Sequence, residues 1–207
     1  MGVSRVAATP MTVAMVTAAL EATAAKIKPK DTSPFRKGDA VVYPTHGVGH
    51  VDRVGFEEIA GYRLNLIHIS FADNQMTLRV PVAQAHAAGL RKLVSRQAMV
   101  TALAKLKGRP RGSRLMWAKR AQEYLAKINT GDPDALAEVV RDLQAAGDGS
   151  SSSFSQRNLF ELAFERLAGE FAAINQIAKP EAIEVLSQAL LQARADNAES
   201  PRPIVSG

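Results

Sequence analysis

The chain has 207 residues, 46% of them hydrophobic, and 26 Lys and Arg against 20 Asp and Glu give it a net charge of +6. That is enough apolar material for one domain with appendages or for two small domains. It has no cysteine, which excludes disulfides, thiolate zinc sites and thiol nucleophiles and fits a reducing compartment.

The longest apolar stretch, MTVAMVTAAL at Met11 to Leu20, falls short of the roughly 20 residues a membrane span needs. No membrane association is expected. Its threonines and the following Glu21 make a poor secretion signal, so residues 1–34 read as a disordered tail, with Met11 and Met15 as alternative starts.

From Phe35 to about Val82 the short runs DAVVYP, GVGHVDRV, YRLNLIHISF and MTLRVP alternate apolar with polar residues and are separated by the turn residues GD, HGVG, AG and ADN. This predicts four or five antiparallel strands in a small β barrel. Glu57 and Glu58 fall beside a turn and read as solvated loop charges. After Pro81 the period becomes helical, with helices predicted over 95–107, 113–129, 132–146, 155–177 and 180–195, broken at GRPRG (108–112) and GDGSSSS (147–153). Asp132 followed by Pro133, Ser155, and Pro180 are the start signals. The expected fold class is therefore α+β: a barrel domain over 35–93, a compact all-α helical domain over 94–196, and a disordered tail over 197–207.

The charge is unevenly spread along this plan. Residues 94–127 hold nine Lys/Arg and one Asp/Glu, net +8, whereas residues 128–207 hold six and twelve, net −6. A solvated helix face mixes both signs. A segment nearly free of acids instead predicts a phosphate-contacting surface, because clustered cations release counterions from nucleic acid.

Catalytic chemistry finds little support. His46 and His50 stand four apart, a metal spacing on a helix; in an extended segment they would be roughly 13 Å apart. Gly47 and Gly49 form a GxG without the Lys-Ser/Thr or the helix of a phosphate loop. His68 and His86 have no evident partner. No enzyme, metal or cofactor is expected.

The stretches FRKGDAVVYPTHGVGHVDRV, MTLRVPV, MWAKRAQEYLAKINTGD and ALAEVVRDL together resemble the CarD family of bacterial transcription regulators, in particular its CdnL branch, over roughly Phe35 to Leu191. The barrel also resembles a module of the transcription-repair coupling factor, but none of that protein's helicase motifs occurs in these 207 residues, and the WAKR, TGD and EVVRDL combination selects the CdnL branch. The resemblance implies a Tudor-like (SH3-like) barrel that binds the β subunit of RNA polymerase. It also implies a helical domain that meets promoter DNA, through minor groove and phosphates, at the upstream edge of the transcription bubble. Arg79 matches an arginine that contacts polymerase. Trp117 matches a tryptophan that wedges into the minor groove, with Arg114, Lys119 and Arg120 gripping phosphates around it. The expected protein is a monomeric, cytoplasmic, nucleoid-associated regulator that stabilises the open complex without reading sequence. An RNA-binding module with a Tudor-like barrel and no polymerase partner is the alternative.

Two positions depart from the family pattern. Glu57 stands where some relatives have a basic residue near the polymerase contact, and Gln122 stands where some have one near the DNA contact. Trp117 itself carries two readings. Periodicity alone puts it with Ala121, Tyr124 and Ile128 on one helix face and favours a core role, whereas the resemblance favours the wedge.

Overall fold

Val41, Val51, Ile67, Ile69 and Phe71 are almost fully buried and, with Phe35, Val80, Ala85 and Leu90, form the core against a five-stranded antiparallel sheet. The structure, a computed structural model, describes residues 33–73, 75–111, 116–147 and 153–199. Strands β1 (Ala40–Tyr43), β2 (Gly47–Ile59), β3 (Tyr62–Phe71), β4 (Met76–Pro81) and β5 (Arg91–Lys92) lie in the order β4-β3-β2-β1-β5. The small antiparallel β domain expected from the sequence is present, and its sheet does not close: β4 and β5 do not pair with each other. The reason is length, since β5 has two residues and engages only Val41 and Val42 of β1.

A correction concerns Glu57 and Glu58, expected in a loop. They lie in β2, opposite Leu64 and Arg63 of β3. The β4 pairing reaches only Leu66, opposite Pro81, so this end of the hairpin is held by backbone pairing with little burial, and the apolar alternation that marks a strand fades. Nearer the core, Gly49 explains the GVG motif. A Cβ there would stand 2.7 Å from Ile69, 2.8 Å from Phe71 and 2.9 Å from the Ser70 carbonyl, closer than any side chain tolerates.

Five helices follow: α1 (Arg96–Leu106), α2 (Trp117–Thr130), α3 (Pro133–Gly147), α4 (Phe154–Asn175) and α5 (Lys179–Glu199). Ser95 caps α1, its hydroxyl accepting from the Ala98 amide at 3.1 Å, and Asp132 caps α3 through the Ala135 amide at 3.0 Å. Helix α4 is capped by Ser153, not by the expected Ser155. Ser153 and Gln156 exchange side-chain and backbone hydrogen bonds in a capping box, a reciprocity that a serine three residues before Asn158 lacks. Helix α5 begins at Lys179 with Pro180 in its first turn and continues past the expected end at Ala195, where Asn197 lies within reach of the Lys107 carbonyl at 3.4 Å. The helical core gathers Met99, Leu106, Ile128, Leu136, Val140, Leu167 and Leu186.

Sheet and helices pack together in one compact unit that begins at Phe35. Lys179 spans them, its ammonium 2.7 Å from both Asp73 of the β3–β4 connection and Glu165 of α4.

Candidate DNA-facing and polymerase-facing surfaces

Helix α2 presents its first residue, Trp117, in a position that is neither core nor free surface. The ring is partly buried against the helical core, while Tyr124 and Ile128, two and three steps further along the same face, are buried. Periodicity thus places the stripe, but its first member overhangs the edge because the helix begins there. The Arg120 guanidinium lies over the indole at 5.4 Å from its centroid, within cation–π range, and Arg120 Nε is enclosed with no hydrogen-bond partner. Lys119 is exposed, as is Gln122. Met116, the N-cap, makes no side-chain capping bond and is 79% exposed. Arg114 lies outside the described residues.

The basic stretch over 94–127 is partly neutralised inside the fold. Lys105 pairs with Asp134 and Lys127 with Glu138, each at 2.7 Å. The Asp134 hydrogen bond raises the Lys105 pKa despite some desolvation, and the Lys127 hydrogen bond, working against desolvation, holds Glu138 below the usual carboxylate range. Both acids belong to α3, so the acidic half of the chain consumes two cations of the basic half. Linear charge counting cannot see that. Asp142 of α3 accepts from the Arg111 amide at 2.9 Å and from Arg141 at 2.8 Å.

On the sheet, Arg79 projects from the edge strand β4 with its side chain 62% exposed, and its guanidinium stands 3.7 Å from Glu57. Glu57 also accepts a hydrogen bond from Arg53 and lies 3.1 Å from His68 Nε2. The His68 contact is an approach only, since Nε2 has no hydrogen-bond partner. Desolvation would raise the Glu57 pKa, but the Arg53 hydrogen bond and the charges of Arg53, His68 and Arg79 together lower it. His68 itself is 5% exposed and pairs in backbone register with Arg79 across the sheet, which places its imidazole beside Glu57. His46 stacks on Tyr43 and lies tilted against Phe71, with ring centroids 5.5 Å apart in each pair, which gives it a packing role beside the turn. Among the described residues no three His, Cys, Asp or Glu stand together as metal ligands, and no helix is long and apolar enough to cross a membrane.

Sequence reasoning missed one group altogether. Glu170 of α4 is 1% exposed and receives both arms of Arg91 from β5, at 2.6 and 2.7 Å. The two residues are 79 positions apart, and neither lies in a stretch that looks exceptional.

A small antiparallel sheet and a helical bundle, joined by the start of the basic stretch 94–127, make up the compact unit. The comparisons place it more closely. Residues 35–94 match the family model described as the CarD-like/TRCF RID domain, and residues 101–187 match CarD, C-terminal domain. The chain belongs to the CarD/CdnL family of bacterial RNA polymerase-binding transcription regulators. It is 26% identical over 143 residues to YdeB of Bacillus subtilis (strain 168), a protein whose name assigns it provisionally to the transcription factors; the match covers 69% of this chain and 94% of YdeB. It is also similar to the solution NMR structure of the 72-residue N-terminal domain of Myxococcus xanthus CarD, with 33% identity, 28% of this chain and 77% of that one covered, and a TM-score of 0.25. The family is one of transcription regulators acting with RNA polymerase and is not an enzyme class.

Proposed function

We propose that this protein, as a monomer, anchors on the polymerase β subunit through the sheet of residues 35–93, with Arg79 at the contact, and stabilises the open promoter complex through the helical residues 94–196. Trp117 enters the minor groove at the upstream edge of the bubble, while Arg114, Lys119 and Arg120 hold flanking phosphates. The observation that carries this reading is the placement of Trp117: an indole at the first position of α2, half-clear of the core, with an arginine over its face and an exposed lysine two residues on.

The mechanism follows from differential affinity. Inserting an apolar ring between base steps costs a few kcal/mol of unstacking in intact duplex and less where the duplex is already distorted. Trp117 therefore favours the melted promoter over the closed one, and a ligand shifts an equilibrium by that difference. The phosphate contacts position the ring without reading sequence, and polymerase supplies the location. The test is open-complex decay on one promoter with wild-type protein and with Trp117→Ala. A variant that holds the bubble open as long as wild type does refutes the reading.

A further inference from the structure

The C-terminal end of α2 is tied to the sheet at three places, and none of them involves the residues assigned above. The last turn of a helix leaves its carbonyls without intrahelical partners. Here Arg166 of α4 donates from Nη1 to the Ile128 carbonyl at 3.1 Å and from Nη2 to the Thr45 carbonyl, in the β1–β2 turn, at 3.2 Å. Arg91 of β5 donates to the Gly131 carbonyl while its two arms hold Glu170, which also accepts from the Val94 amide at 3.1 Å. Gly131, the α2 cap at φ 67°, lies against Pro44, where an added Cβ would stand 3.3 to 3.5 Å from the ring and its Cα. The two motifs YPTHGVG and TGD thus meet face to face.

We propose that Arg91 and Arg166 form a joint that makes α2 a strut of fixed direction between the polymerase-facing sheet and Trp117, and that both are positioning residues for the Trp117 contact. The proposal rests on the function proposed above. Helix α2 has 14 residues and at 1.5 Å per residue is about 21 Å long. A tilt of about 10° at its pinned end would carry the far end about 4 Å, on the order of the 3.4 Å separating successive bases along a strand. A loose joint would therefore present the indole to the wrong step while leaving each binding surface intact. The chemistry suits such a role. A buried carboxylate–guanidinium pair adds little net stability, because desolvation offsets the attraction, yet it strongly disfavours any arrangement that separates the two charges.

The chain has one tryptophan and no cysteine, so the geometry can be read directly in the full-length protein. An acceptor dye on Glu58→Cys, an exposed position on β2, with Trp117 as donor, reports the distribution of sheet-to-Trp117 distances. Two variants loosen the joint differently: Arg166→Met removes the fork and keeps the stem, and Gly131→Ala pushes on Pro44 without deleting a side-chain bond. The expected result is a narrow distribution in the parent and a broad or displaced one in both variants. Affinities for the isolated β subunit and for linear duplex should stay within twofold of the parent, and the effect on open-complex lifetime should disappear. Distributions as narrow as the parent's, at the same distance, overturn the joint. A broadened distribution with an unaltered lifetime effect overturns the strut. If Arg166→Met fails to fold, Gly131→Ala decides both points. If the parent itself has no effect on lifetime, the proposed function fails, and the distance distributions still judge the joint.

Discussion

Replacing Trp117 by alanine separates packing from DNA contact, and the structure sets the size of the packing effect. Truncating a fully enclosed tryptophan costs about 3 to 5 kcal/mol. Trp117 is only partly buried against the helical core, so roughly half of that, about 1.5 to 2.5 kcal/mol, is expected from burial, with about 0.5 to 1 kcal/mol more from the Arg120 contact. At about 2 to 4 °C per kcal/mol for a domain of this size, the melting temperature should fall by about 4 to 14 °C, leaving a folded protein at 25 °C. Thermal melting is measured beside the decay of open complexes after competitor challenge, with polymerase β binding as a control. The expected pattern is a moderate loss of stability, retained β binding and an open-complex lifetime close to that without the protein. Trp117→Phe should keep part of the lifetime effect, since a smaller ring can still enter an opened step. Either of two results refutes the reasoning: unfolding as severe as a full core truncation, with every activity failing together, or a moderately destabilised variant that holds the bubble as long as wild type.

Arg79→Glu places a second acid beside Glu57 on an exposed strand edge; it should weaken β-subunit binding in a direct binding assay while shifting stability by about 0.5 kcal/mol or less. Neutralising Arg114 and Arg120 should lower DNA affinity about equally across sequences and flatten its salt dependence by about one unit for each phosphate that no longer has a cation beside it; an unchanged slope would assign these residues to solvated surface. Glu138, held below its ordinary pKa of 4.5, contributes stability that is present above that value and disappears as pH falls through the lower, folded-state pKa. Glu138→Gln should accordingly melt below wild type at neutral pH, and the gap should close on acidification. A gap that persists at low pH would mean that the Lys127 pairing is not its source. Copurification of the tagged full chain should recover RNA polymerase in stoichiometric amount, and recovery of RNA alone would favour the RNA-binding alternative.

The order and kind of the elements are legible along the chain. The apolar run at 40–43, period-two alternation over 62–71 and 76–81 and helical periodicity after Pro81 are local signals, and so are the Asp132-Pro133 start and the glycines of HGVG. The family resemblance rests on the same short-range patterns. The remaining features depend on groups distant in the chain. The sheet stays open because β5 is two residues long, and Glu57 belongs to a strand because β3 pairs with it, although its own neighbours show no alternation. Lys105 and Lys127 lose their availability to acids of α3. Trp117 sits between core and surface because α2 begins at that residue, which a helical wheel cannot register. Glu170 is buried with its charge because Arg91, from the sheet, arrives to meet it. Local propensity and pattern act over a few residues, whereas charge pairing and burial are settled by whichever surfaces the packed elements bring within a few ångströms of one another.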